Sequence, residues 1–529
     1  MKNLKFDFAA GLVVFFVALP LCIGISLAST SYKEIEGLSD FAGVVFPGLI
    51  SGIIGGIVVG SFSGSRFGVS GPAAGLITIV STAIIQFGGF DNGGFEKFIL
   101  AVSIAGVFQL ILGFLKAGFI AYYVPSAVIK GMLAGIGVTI VAKEIPHFFG
   151  YDKDPEGDLG FNQADGETTW SELIGTFDNI HWGATLAGVV SIIILIIWGS
   201  KKIKENKALS LVPGPLLAII ISIILAILLA GHDTFAIAGN HLVNVPVAKS
   251  FNEFKANFYT PNFNALSDPA VYTVALVIAI VASLETLLCV EATDKLDPNK
   301  GRTPMNRELK AQGIGNILSG LLGGLPITQV IVRSTANIQA GAKTKWSAVV
   351  HGVFLVLFIV LAPSLLNMIP RATLAAVLLL IGYKLASPKV FKQIYKNGWS
   401  QFIPFLVTVI CIYRIDLLSG VGIGLGLSVL WILYKNYKTA YFVEDFGHEE
   451  GEPIRLSLSQ HATFLNKASI VDTFDKIPNG EHVILDLSKS TDIDHDIFEA
   501  INEFKVNAKN RNIKLEVIGQ KKMNTNQKL

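Results

Sequence analysis

Two ionisable residues lie where an apolar chain should have none. Arg333 sits inside "GGLPITQVIVRSTANIQAG" (323–341), and Glu285 inside "IAIVASLETLLCVEATD" (278–294). A charge at the centre of a membrane helix is disfavoured by about 3 kcal/mol on insertion scales, so each implies a partner or a task. A guanidinium there suits an anion, whose binding would offset the cost of burying it. A carboxylate roughly 21 Å along its helix, at 1.5 Å per residue, suits a proton or a small cation. Structural roles stay open beside these: Arg333 paired permanently with Glu285 or with backbone carbonyls, and Glu285 orienting its neighbour. Lys130 and His351 also fall in apolar stretches, where packing or interfacial roles account for them. Glu291 and Asp294 fall near a span end, within reach of solvent.

The backbone carries a second chemistry. Gly323, Gly324 and Pro326 precede the Arg333 segment, and Gly71 and Pro72 open a similar stretch, "VSGPAAGLITIVSTAI" (69–84). Proline is tolerated at a helix start, whose first N–H groups have no intrahelical partner. Both stretches therefore read as helices that begin inside the membrane. Each start carries about half a positive charge and several free donors, and two such starts facing each other would form one anion site.

The elements that must position these groups follow from composition. The chain has 529 residues, 51% hydrophobic and only 16% charged, where soluble domains carry about a quarter. Long apolar runs recur up to about residue 437, the pattern of an α-helical polytopic membrane protein. Candidate spans fall near 8–29, 41–61, 71–87, 97–117, 122–145, 182–199 and 211–230. A second set falls near 271–293, 308–323, 327–340, 346–368, 371–386, 401–417 and 419–435. The third and tenth are too short to cross a hydrocarbon core of about 30 Å. The first run follows Lys2 and Lys5, but at about 20 residues it exceeds a signal-peptide core and reads as a retained span.

Charge orients the set. With a cytoplasmic N-terminus, Lys and Arg gather inside, in loops 201–207, 294–310, 341–345 and 383–398, while the acidic loop 151–173 falls outside. Seven spans per half would insert the second half upside down, giving two inverted repeats with the broken segments in corresponding places. After residue 437 the character changes: residues 438–451 read as a linker, 452–521 as a small cytoplasmic α/β domain and 522–529 as a disordered tail. In that domain 454–458 and 482–487 read as strands. A helix over 467–477 turns Ala468, Val471, Phe474 and Ile477 to one face. A second helix over 495–510 stripes Ile497, Ile501, Phe504 and Ala508, and 513–519 closes as a strand. The three cysteines, Cys22, Cys289 and Cys411, and the nine histidines show no disulfide or metal-ligand spacing. The near-neutral balance (+2) argues against nucleic acid, and no nucleophile–base pair points to an enzyme.

The stretch "NRELKAQGIGNILSGLLGGLPITQVIVRSTANIQAGAKTK" (306–345), with "VPSAVIKGMLAG" (124–135) and "IPRATLAAVLLL" (369–380), resembles the SulP family of inorganic anion transporters, the sulfate-permease family. The likeness runs over nearly the whole chain, the C-terminal part being similar to the STAS domain of these proteins. It implies two seven-segment inverted repeats forming a core and a gate domain, with the anion held between the third and tenth helix starts. Carried residue by residue, the family's contacts fall on Thr328, Gln329, Val330, Val332 and Arg333 of the tenth span and on Ser70, Ala73 and Ala74 of the third. First-span contacts, often Gln and an aromatic in animal members, fall here on Leu21 and Ile25, a less polar wall. The carboxylate and hydroxyl that hold sodium in the bicarbonate branch read here as Glu285 and Cys289, so that pattern is half present. Ser488 and Ser490 lie where related domains are phosphorylated, in what reads as an exposed loop.

The resemblance implies secondary active transport of a small oxyanion, sulfate or bicarbonate, by an elevator-like motion. Sodium or a proton would be the coupling ion, and no cofactor is needed. It further implies a homodimer in the lipid bilayer of the cell membrane, with both termini cytoplasmic. An uncoupled anion channel or chloride exchanger, and a sensor signalling through its STAS domain, are the alternatives of another class. A nucleobase permease of the same fold is a third, and Arg333 favours an anion over a base.

Overall fold

The computed structural model describes residues 3–30, 41–89, 92–153, 160–161, 167–200, 203, 212–245, 258–438, 441–443 and 453–519. By internal contacts the chain divides into two units, Met1–Leu425 and Gly426–Leu529. The first half runs α1 (Leu4–Ser29), α2 (Phe41–Ile54, prolonged through a π-turn at Gly55–Val59), β1 (Ser70–Pro72), α3 (Ile77–Gln86), α4 (Gly94–Phe114) and α5 (Ser126–Phe148). It continues with α6 (Thr169–Asp178), α7 (Trp182–Trp198) and α8 (Gly214–Leu229). The second half runs α9 (Pro269–Leu296), α10 (Met305–Leu321), β2 (Ile327–Gln329), α11 (Ile331–Gln339), α12 (Trp346–Leu361), α13 (Arg371–Leu385), α14 (Pro388–Lys396), α15 (Trp399–Arg414) and α16 (Leu417–Lys438).

Each of the fourteen expected spans is present as a helix, and the third and tenth, α3 and α11, are the short ones. With 10 and 9 residues they reach only about 15 Å, half a hydrocarbon core. Among the described residues of the first unit, two α-helices of nine or more residues lie outside the expected set. The helix α6 meets α7 at 109°, and α14 carries its lysines and apolar residues on opposite faces, as a helix lying along a membrane surface does.

Two helix sets pack separately. The first joins α1–α4 with α9–α12, and the second joins α5, α7 and α8 with α13 and α15. Each set is built on a close glycine crossing. A Cβ on Gly106 of α4 would stand 2.6 Å from the Gly313 carbonyl of α10, and one on Gly137 of α5 would stand 2.7 Å from the Gly382 carbonyl of α13. Small residues let the backbones approach, which is how helices associate where lipid removes the hydrophobic drive.

A polar knot ties the second set outside its spans. Asp152, at 1% side-chain exposure, faces Nδ1 of His147 from the end of α5 and Nδ1 of His241 from beyond α8, both at 2.8 Å. His181, ahead of α7, stacks on His241 with ring centroids 4.1 Å apart. Burial pushes the Asp152 carboxyl up, but the two imidazoles and Arg371 outweigh it and hold the group below the usual carboxylate value.

The second unit contains a four-stranded sheet in the order β3 (Tyr441–Val443), β4 (Ile454–Leu458), β6 (His482–Asp486), β8 (Lys514–Ile518), parallel except at β3. A short parallel pair, β5 (His461–Ala462) with β7 (Asp492–Ile493), lies beside it. Helices α17 (Lys467–Lys476) and α18 (His495–Asn510) bury Phe474 and Phe504 in a stack 4.2 Å between centroids. The α18 stripe is as expected, Ile497, Ile501, Phe504 and Ala508 all being buried.

The α17 face is in part the expected one, with Phe474 and Ile477 buried. Ile470 and Phe474 point inward while Ala468 is exposed and Val471 half-buried. A turn at Phe464–Asn466, capped by Thr463, leads into the helix and sets its rotation. Ser488 is exposed, but Ser490 is buried and its hydroxyl donates to the Ser459 carbonyl at 3.0 Å. Residues 441–443, inside the expected linker, form an edge strand; the rest of that linker past 443 and the expected tail lie outside the described residues.

Candidate functional site

A chain that breaks its helix inside a membrane must satisfy the freed backbone groups from within the protein. β1 and β2 do this by pairing antiparallel, Ser70 opposite Gln329 and Pro72 opposite Ile327. The Ala73 N–H donates to the Pro326 carbonyl at 3.1 Å, and the Val330 N–H to the Val69 carbonyl at 2.9 Å. The two lead-ins thus close each other, and α3 and α11 follow from opposite ends of the short ribbon.

One face of α10 supplies the remaining partners. Glu308, Gln312, Asn316 and Ser319 are all fully buried along it. The Ser63 hydroxyl donates to Glu308 (2.5 Å), and Gln312 Nε2 donates to Ser70 Oγ (2.7 Å). Asn316 accepts the Ile327 N–H (2.6 Å) and donates to the Ile327 carbonyl (3.0 Å) and to Gln109 Oε1 (2.7 Å). Ser319 donates to the Leu325 carbonyl at 2.6 Å. None of these four was singled out from the sequence, although their helical spacing within 306–345 was there to be read.

A cavity of about 270 Å³ lies at the seam between the two helix sets. Ala74 and Gly75 from the start of the third segment and Val330, Ile331 and Val332 from the start of α11 form part of its wall. Glu285 and Cys289 of α9 complete that side, and Ile136 and Thr139 of α5 with Ile412 of α15 face them. Ala28 in the last turn of α1, with Asp416 ahead of α16, extends the cavity toward the membrane face where α1 ends. Another hollow of about 260 Å³ is lined by Phe46, Leu49, Ile50, Phe258 and further apolar residues, with no group to hold an ion.

Of the residues expected at the site, Ala74, Glu285, Cys289, Val330 and Val332 meet at this cavity. Glu285 is buried, and its carboxylate stands at the start of the third segment: a Cβ on Gly75 would lie 3.0 Å from Oε2. Leu21 belongs to the same buried cluster as Cys289, Ile331 and Val332, and Ile25 to that of Ala73, and none of Leu21, Ile25 and Ala73 lines the cavity. Ser70 is occupied by Gln312. The Gln329 side chain turns to Thr293, donating to its hydroxyl at 3.0 Å. Thr328 is fully buried in β2.

Arg333 is fully buried, the largest such side chain among the described residues, and it does not line the cavity. Its Nη2 donates to Cys22 Sγ at 3.3 Å, while Nε and Nη1 have no partner. No ion pair with Glu285 forms among the described residues, so neither of the structural partners foreseen for the guanidinium is the one it takes. His351, fully buried on α12, packs against Gly56, with Nδ1 3.3 Å from the Ala348 carbonyl. Lys130 is half-buried. Glu291 pairs with Lys295 at 3.6 Å, and Asp294 accepts from the Thr303 N–H and hydroxyl at 2.7 Å each.

The arrangement can take up negative charge at two helix starts and hold a cation or proton on a carboxylate beside them. A model of the sulfate permease family matches residues 4–408. Over 437 residues the chain is 30% identical to "Putative sulfate transporter YvdB" of Bacillus subtilis, spanning 82% of this chain and 74% of that one. It is 25% identical over 434 residues to the bicarbonate transporter BicA of Picosynechococcus, spanning 81% and 70%. Among solved structures, the transmembrane domain of a cyanobacterium BicA superposes with a TM-score of 0.52 at 23% identity, covering 81% of this chain and 98% of that one. Murine Slc26a9 in its inward-facing state gives 0.63 at 15% identity, covering 98% and 86%. With broken helices sharing one cavity in such a frame, the chain belongs to the sulfate permease family, integral membrane transporters of inorganic anions.

Proposed function

We propose that the chain is a secondary active transporter of a small inorganic oxyanion, sulfate or bicarbonate, coupled to a proton or to sodium. The observation that carries this reading is the shared cavity: two helix starts and the Glu285 carboxylate open on one space of about 270 Å³. The helix starts supply partial positive charge and N–H donors for the anion. An ionised Glu285 beside Gly75 would compete for the same start, and a proton or sodium ion on it removes that competition. Anion and cation would then enter together. The relatives named as sulfate and bicarbonate transporters are consistent with either substrate.

The cavity lies between two separately packed helix sets, so sliding one set against the other would carry the site across the membrane, the elevator motion expected of a core and a gate. The pairing of β1 with β2 gives the corresponding segments of the two halves opposite directions, as inverted repeats require. Cytoplasmic termini and a homodimer complete the reading. Purified protein in liposomes, offered labelled sulfate and bicarbonate under inward proton or sodium gradients, tests it. One of the two anions should accumulate only with a gradient, and Glu285→Gln should keep exchange while losing accumulation. Uptake of neither anion would refute the substrate reading, and undiminished accumulation by Glu285→Gln would refute the coupling.

A further inference from the structure

We propose that Cys22 is a positioning residue for Arg333 that leaves the guanidinium without a counter-ion and so sets the anion affinity of a cavity it does not touch. The inference rests on the oxyanion reading above and adds a residue to it. The Arg333 guanidinium is fully buried, and its single hydrogen bond goes to a thiol on α1, 3.3 Å away. A thiol is a weak acceptor and brings no formal charge. A carboxylate at position 22 would instead form a charge-assisted pair and cancel the field.

The surroundings keep every other compensating group away. On α2, Gly52 faces both groups: a Cβ there would lie 2.5 Å from Cys22 Sγ and 3.9 Å from Nη1. In β1, a Cβ on Gly71 would overlap Nη1. On α12, Leu355 is apolar, and His351 is the titratable group within electrostatic reach. No carboxylate pairs with the guanidinium among the described residues, and its Nε and Nη1 donate to nothing. A small sulfur fits between α1 and α2, and the glycines clear the space for the guanidinium rather than for a partner. The uncompensated charge stands against β1, which leads directly into the start of the third segment, on the cavity wall. Its field therefore adds to that of the two helix starts.

Four variants of the full chain in liposomes test this. Cys22→Asn and Cys22→Asp have nearly the same size, and only the second carries charge. At an effective dielectric of about 20, a unit charge within about 10 Å of an anion changes its affinity by roughly tenfold or more. Cys22→Asp should therefore raise the KM for the transported anion by that factor, with a smaller change in kcat. Cys22→Asn and Cys22→Ser should keep a KM close to the wild type, with all three melting alike. Arg333→Gln should raise KM as Cys22→Asp does, because each lowers the net charge beside the cavity by one. Equal KM values for Cys22→Asp and Cys22→Asn, or an unchanged KM in Arg333→Gln, overturn the inference. Failure of the oxyanion reading shows separately, since the wild type would then take up neither anion.

Discussion

Asn316 holds the tenth segment's lead-in in place, and removing its amide should unfasten the site from a distance. Asn316→Leu nearly conserves volume, so what it deletes is polar. Three buried groups lose their partner: the Ile327 N–H, the Ile327 carbonyl and Gln109 Oε1, at 2.6, 3.0 and 2.7 Å. Each orphaned group costs about 1–3 kcal/mol, which gives about 3–9 kcal/mol against a typical total of about 5–15 kcal/mol. The variant should melt well below the wild type in detergent and transport little. Adding Gln109→Leu removes one of the orphans along with its partner, so the double variant should recover part of the loss rather than deepen it. A single variant that melts with the wild type, or a double variant whose loss is the full sum of the singles, would refute the claim that this amide fastens β2.

Two further outcomes follow from the same reasoning. Asp152→Asn should lower the melting temperature at neutral pH, because the carboxylate bridges His147 and His241. Its pKa is depressed on folding, so its stabilisation is present above the unfolded value of about 3.9 and fades as pH falls through the lower folded value. Melting curves from pH 7 down to about 3 should thus show the two proteins converging only at the acid end. Phe504→Ala removes one ring of the Phe474 stack and should destabilise the C-terminal domain by about 3–5 kcal/mol. Hydrogen exchange over residues 453–519 of the full chain would report it as lost protection, while exchange in the spans stays unchanged.

The broken helices were legible because their signals are local. Gly-Pro and Gly-Gly-Leu-Pro before short apolar runs marked where the helices break, but the structure places Gly71 and Pro72 in β1 and Pro326 just ahead of β2, so α3 and α11 begin a few residues later than read. Glu285 was legible for the same reason, a charge in an apolar run, and it does line the cavity. Side-chain direction was not legible. Gln329 and Arg333 flank the join between β2 and α11, where a strand period of 2 gives way to a helix period of 3.6. At such a join a one-residue difference in register decides whether a side chain faces the cavity, Thr293 or Cys22. The α10 ladder escaped notice because Gln, Asn and Ser look unremarkable one at a time, and their task appears only when β1 and β2 are seen to need partners. On α17, Phe474 and Ile477 turn inward as read, but Ile470 rather than Val471 is the buried residue one turn earlier.

Transport as proposed requires two helix starts to share one anion-binding cavity, and Ala74 is the residue from which to probe it. In a Cys289→Ser background, which removes the native thiol from the wall, Ala74→Cys should react with a small negatively charged thiosulfonate. The transported anion should slow that reaction with a half-maximal concentration equal to its KM for uptake. A labelling rate indifferent to saturating anion, in a protein that still transports it, would place the binding site elsewhere and contradict the account.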